Sequence, residues 1–184
     1  MSYEQITDLK EIESKLQSLG WELDACEYDD EDEFEEVLDR LYPGEVKKVA
    51  KRASELGSVK GMHLYGRMLG DEARKLKEDG KPYKDLQTKA RELVFYAAKG
   101  GCWGAMDDLG TEHTEDLGPQ MYEQLAFIQL SGQDPLEHVE YCREYLNMNI
   151  TQEEIDKGVN LYNELHDHME VNSIQKESCN CIFP

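Results

Sequence analysis

No run of apolar residues in this chain approaches the roughly 18 that a membrane-crossing helix needs, so membrane-spanning helices are not expected. Sustained alternation of apolar and polar residues is missing too. Its one brief instance, Trp21, Leu23 and Ala25 in "WELDAC", is too short to support a sheet. A glycine-rich phosphate loop is absent: "KGGCWG" lacks the preceding strand and the Lys-Ser/Thr pair that such a loop requires. Bases are scarce, with 20 Lys and Arg against 40 Asp and Glu, a net charge of −20 over 184 residues. That imbalance opposes unaided binding to nucleic acid or to an anionic membrane and points to a basic partner or merely to solubility. Cysteine is sparse and odd in number: Cys26, Cys102, Cys142, Cys179 and Cys181 form no regular framework. The expectation is a reducing, cytoplasmic setting, with Cys26, Cys102 and Cys142 serving as small hydrophobes. The opening "MSYEQITDLKEIESKL" is polar and periodic, unlike a secretory signal.

What is present is helical periodicity. Ser2 and Gln5 have capping-box spacing, Leu9, Ile12, Leu16 and Leu19 lie on one helical face, and Gly20 is expected to end that helix. "EYDDEDEFEE", residues 27–36, holds eight acids in ten positions. It leads into Phe34, Val37, Leu38 and Leu41 at i, i+3, i+4, i+7, so it reads as the solvated first turn of an amphipathic helix. A calcium loop would require a glycine at its sixth position, which this run lacks. Further helices are expected over 46–56, 59–77, 86–99, 103–116, 122–130 and 136–146. A last one opens at the Thr151/Glu154 capping box and runs to about Met169. No strand is needed, and the fold class is all-α. Residues 1–174 are read as a single helical domain: an N-terminal cap (1–42), repeat-like helix pairs (43–132) and C-terminal helices (133–174). Residues 175–184 are read as a flexible tail. The tail ends in Cys181-Ile182-Phe183-Pro184, but the terminal proline and the lack of neighbouring bases argue against prenylation.

Two stretches align at an offset of 44 residues: "ASELGSVKGMHLYG" from Ala53 and "AAKGGCWGAMDDLG" from Ala97. Small residues recur at Ala53 and Ala97, Gly57 and Gly101, Gly61 and Ala105, Gly66 and Gly110. Glycine at such places permits a sharp turn between helices and close helix approach. The second stretch resembles the Sel-one-like repeat, a relative of the tetratricopeptide repeat. The residues that carry the likeness are Gly80, Asp85, Lys89, Ala90, Tyr96, Ala97, Ala98, Gly101, Ala105, Leu109 and Gly110, within residues 50–118. The resemblance implies a short right-handed α-solenoid of antiparallel helix pairs with helical caps. It also implies a scaffolding role without catalytic residues.

Charge is unevenly spread. Residues 1–40 carry 15 acids and 3 bases, residues 41–99 carry 8 and 14, and residues 100–184 carry 17 and 3. Within the last segment Asp107, Asp108, Glu112, Glu115 and Asp116 fall on one expected helix, mostly off its apolar stripe (Trp103, Met106, Gly110, His113, Leu117). Glu137, Glu140 and Glu144 fall on another, beside Tyr141 and Tyr145. These ten residues are the candidate partner-binding surface, because so many acids with so few bases call for a basic counterpart. No cofactor and no metal site is expected: His166 and His168, two apart on a helix, point to nearly opposite faces. No nucleophile, base and acid occur with local motif support, so no enzyme is expected. The favoured function is a non-catalytic, acidic interaction module, an inhibitor or immunity protein (antitoxin) that captures a basic protein such as a toxin. An adaptor in signalling or complex assembly is the alternative.

Overall fold

The computed structural model describes residues 3–24, 44–112 and 114–171, and these are helical, with no strand among them. A 3₁₀ turn, Tyr3–Gln5, precedes α1 (Leu9–Asp24). Then come α2 (Glu45–Glu55), α3 (Val59–Glu78), α4 (Lys84–Lys99) and α5 (Trp103–Asp107). One turn of π-helix, Asp108–Glu112, leads to α6 (Thr114–Leu117), α7 (Met121–Leu130), α8 (Pro135–Tyr145) and α9 (Gln152–Val171). The acidic run 27–36 and the apolar face from Phe34 to Leu41 lie outside the described residues, as do Cys26, His113, Cys179 and Cys181.

Glycine chemistry ends four of these helices. Gly57 and Gly101, the aligned pair, sit at φ +88 and +91. The amide after each closes back five residues: Ser58 N–H donates to Ala53 O at 2.9 Å, and Cys102 N–H to Ala97 O at 3.1 Å. Gly80 and Gly132 make the same turn, with Lys81 N–H to Leu76 O and Gln133 N–H to Ile128 O. It is the general way a helix satisfies its last carbonyls around a left-handed residue. Helix starts are capped by side chains. Ser58 Oγ accepts from Gly61 N–H, and Asp134 accepts from Leu136 N–H ahead of Pro135. At Thr151 the expected capping box forms, with Glu154 Oε2 accepting the Thr151 amide at 2.8 Å.

Two expectations at the N-terminal end are corrected. Helix α1 starts at Leu9 rather than from a box at Ser2 and Gln5, and Asp8 Oδ1 accepts the Glu11 amide there. It continues through Gly20, Trp21 and Leu23 to Asp24. A glycine ends a helix only where the chain turns into the left-handed region. A single glycine inside a helix costs about 1 kcal/mol, which packing overrides. The expected helix over 103–116 is also interrupted. Its wider π turn changes the residue-to-residue rotation, so faces projected from a regular helix fail beyond Asp107.

The core follows the periodicity. Ile12 and Leu16 of α1, Val49 and Ala53 of α2, Leu69 of α3, and Val94 and Ala97 of α4 are buried together with Met106, Leu109, Leu117, Phe127 and Leu165. Phe95 meets Phe127 edge to face at 5.6 Å. Small residues let α3 lie close to its neighbours: a Cβ at Gly61 would stand 2.5 Å from Ala53 Cβ, and one at Gly66 2.6 Å from Val94 Cγ2. A smaller cluster, Leu125, Val139, Cys142 and Ile150, fastens α8 onto α7. Helix α9 packs closely on α7, where Gly158 faces Leu125.

Candidate functional site

Helix α8 is held by one narrow face. Val139 and Cys142 are buried, and His138, one turn before Cys142, sits half-buried with Nε2 3.4 Å from the Cys142 sulfur. Burial lowers the His138 pKa below its ordinary value and raises that of the Cys142 thiol. The helix's one base is turned away from the outer face, since Arg143 donates to Ile150 O at 2.6 Å. The chain leaves α8 through Asn147 in the left-handed region, with Met148 N–H donating to Cys142 O.

The opposite face is open. Glu137, Glu140 and Glu144 are exposed, and among the described residues none of them makes an ion pair. Beside them Tyr141 and Tyr145 stack, with ring centroids 5.2 Å apart and planes 29° from parallel. They are 50% and 72% exposed. Leu136, Leu146 and Met148 extend the apolar exposure at either end. Half of the sequence-derived site is therefore gathered on one surface. The arrangement joins unpaired carboxylates to a flat aromatic pair, which suits a cationic, partly apolar ligand.

The other half is dispersed. Asp108 is 2% exposed, which corrects its assignment to the partner-binding surface. His63 Nε2 donates to its carboxylate at 2.6 Å, and Arg67 Nε stands 3.8 Å away. Asp116 faces inward onto Arg74 at 3.0 Å. Arg74 also meets Asp71 and Glu78, and the Asp71 hydrogen bond and the Asp116 charge raise its pKa further. Asp107 is half-buried and Glu115 is exposed, while nothing is described of the Glu112 side chain. These acids lie on three successive short elements rather than one helix, and two of them neutralise bases of the 41–99 segment.

His63 and Arg67 were not singled out by sequence reasoning. They occupy one face of α3 at i and i+4, and their partner Asp108 is 45 residues from His63. No local spacing announces such a pair. His63 Nδ1 also lies 3.4 Å from the Cys102 sulfur, and its ring covers Gly104, where a Cβ would meet Cε1 at 2.8 Å. A sulfur, imidazole and carboxylate in this order invite an enzymatic reading. Cys102 is 1% exposed, however, and its sulfur is disulfide-bonded, so it is not a nucleophilic thiol here. That also corrects the expectation of a reduced Cys102. The network ties α3 to the segment 102–108.

A cavity of about 260 Å³ opens beside Arg74, Lys77, Tyr83, Gln87, Glu115 and Asp116. Arg74 spans its wall by pairing with Asp116 and Glu78. Among the described residues no group of three or more His, Cys, Asp and Glu is arranged to hold a metal ion. None of their helices is long and apolar enough to cross a membrane. No family model matches this chain, and no curated protein or solved structure matches it significantly.

Proposed function

We propose that this protein is a non-catalytic binding module that captures a basic protein partner on the outer face of α8. The observation that carries the reading is the row of exposed carboxylates, Glu137, Glu140 and Glu144, without ion pairs among the described residues, beside the exposed Tyr141–Tyr145 stack. An exposed aromatic pair has unsatisfied apolar area, and a row of like charges raises the local potential. A basic, partly apolar partner relieves both. The net charge of −20 extends the attraction and speeds encounter. Within this reading the helices form a short α-solenoid related to Sel-one-like repeats, and the protein acts as an inhibitor or immunity protein, such as an antitoxin, by covering a basic surface. Glu115, exposed beside the Arg74 cavity, contributes only to the long-range field.

The test is capture from host lysate by the full chain at low ionic strength, followed by elution in steps of salt. Exposed charges are screened within about 8 Å at physiological ionic strength, so a charge-steered complex dissociates as salt rises. The expected result is a stoichiometric basic protein that is lost from the Glu140→Lys/Glu144→Lys variant. Equal capture by that variant, or no partner, overturns the proposal. A partner held unchanged at high salt would instead indicate an adaptor using an apolar contact.

A further inference from the structure

Resting on that reading, we infer that α8 selects arginine over lysine in its partner. The guanidinium plane seats on the Tyr141–Tyr145 pair, and its N–H fork is taken by the adjoining carboxylates.

Tyr141 lies four residues after Glu137 and three before Glu144, and Glu140 lies four before Glu144. All are neighbours on the helix surface. The tyrosine pair thus borders a row of carboxylates. Glu140 and Glu144 repel each other at this spacing, and neither makes an ion pair among the described residues. Elsewhere this chain supplies its own cations to aromatic rings. Lys89 lies over Tyr65 at 6.0 Å, Lys77 over Tyr83 at 5.9 Å and Lys99 over Phe95 at 5.9 Å. Among the described residues Tyr141 and Tyr145 receive none, and the near candidate, Arg143, reaches to Ile150 O instead.

The ligand that completes this surface must be cationic, flat on one side and rich in in-plane donors. Guanidinium meets all three conditions. It is planar, weakly hydrated, stacks on aromatic faces and grips carboxylates with two parallel hydrogen bonds. An ammonium is compact and strongly hydrated, and it satisfies the charge but not the plane. A second copy of the chain fits poorly, because it would set Glu137, Glu140 and Glu144 against their own duplicates.

The experiment uses the full chain, labelled for backbone-amide NMR, and two short glycine-spaced peptides of equal charge, one of arginines and one of lysines. Both peptides should shift α8 amides, and the arginine peptide should bind about fivefold more tightly. Tyr141→Leu/Tyr145→Leu should remove that preference while leaving lysine-level binding. Both side chains are largely exposed, so the fold should persist, and an unchanged Tm would verify it. Glu140→Gln/Glu144→Gln should weaken both peptides. Equal affinities with shifts on α8 would overturn the arginine selectivity and leave basic capture standing. No α8 shifts with either peptide would overturn both. A dimer that dissociates on Tyr145→Ser would show the face covered by a second copy, and would also overturn the inference.

Discussion

Replacing Gly61 by alanine tests the close approach of α2 to α3. Inside a helix, Gly→Ala ordinarily stabilises by about 0.5–1 kcal/mol, because alanine loses less backbone entropy on folding. At Gly61 the added Cβ would stand 2.5 Å from Ala53 Cβ, 2.7 Å from Ser54 N and 2.8 Å from Ala53 C. Two of those atoms are backbone, so relief requires moving one helix against the other rather than rotating a side chain. Overpacking of this kind costs about 1–3 kcal/mol. The cost exceeds the propensity gain, and the net expectation is a loss of about 1–2 kcal/mol. For a chain of this size that is a fall in Tm of roughly 2–8 °C. Gly70, in the same helix, provides the control. Its Cβ would meet Leu117 Cδ2 at 3.4 Å and Asp116 Cβ at 3.5 Å, ordinary contacts. Gly70→Ala should therefore hold Tm or raise it. Both variants can be followed by thermal unfolding with circular dichroism and by urea titration. Gly61→Ala at or above wild-type stability would refute the packing argument.

Three further outcomes are expected. Asp108→Ala should cost about 1–3 kcal/mol, because it removes the buried carboxylate, 2% exposed, on which the partly buried His63 and Arg67 converge. A double-mutant cycle with His63→Ala should show coupling above about 1 kcal/mol, and additivity would remove the pair from the account. Burial holds the His138 pKa below its ordinary 6.5, so its neutral form is the one that folding favours. Its contribution to stability is complete above 6.5 and is lost as pH falls from there toward the lower folded value. His138→Gln should flatten that part of the wild-type stability-versus-pH curve, and superimposable curves would count against it. Thr151→Ala should destabilise by about 1 kcal/mol and fray the start of α9, as read by amide exchange, because Thr151 Oγ1 accepts the Glu154 amide at 3.3 Å.

The candidate surface divides along a physical line. On α8 the exposed set Glu137, Glu140, Tyr141, Glu144 and Tyr145 follows from the 3.6-residue period alone, because the helix is regular and Val139 and Cys142 mark its buried face. Between Asp107 and Asp116 the same projection fails. The π turn breaks the period, and Asp108 and Asp116 find bases on α3. An acid next to others in sequence reads as solvated, yet a distant arginine or histidine makes burial affordable.

Local chemistry determined the helices, their starts at Ser58, Asp134 and Thr151, and the glycine turns at Gly57, Gly80, Gly101 and Gly132. Each depends on atoms within about five residues, so each is written in the chain order itself. Tertiary structure decided that Gly20 stays inside α1, that His63 and Asp108 meet across 45 residues, that Asp116 turns inward to Arg74 and that Arg143 leaves the face of α8. Those outcomes are set by the desolvation of charges and by helix-to-helix contact, whose partners lie far apart in sequence and come together only when the chain folds.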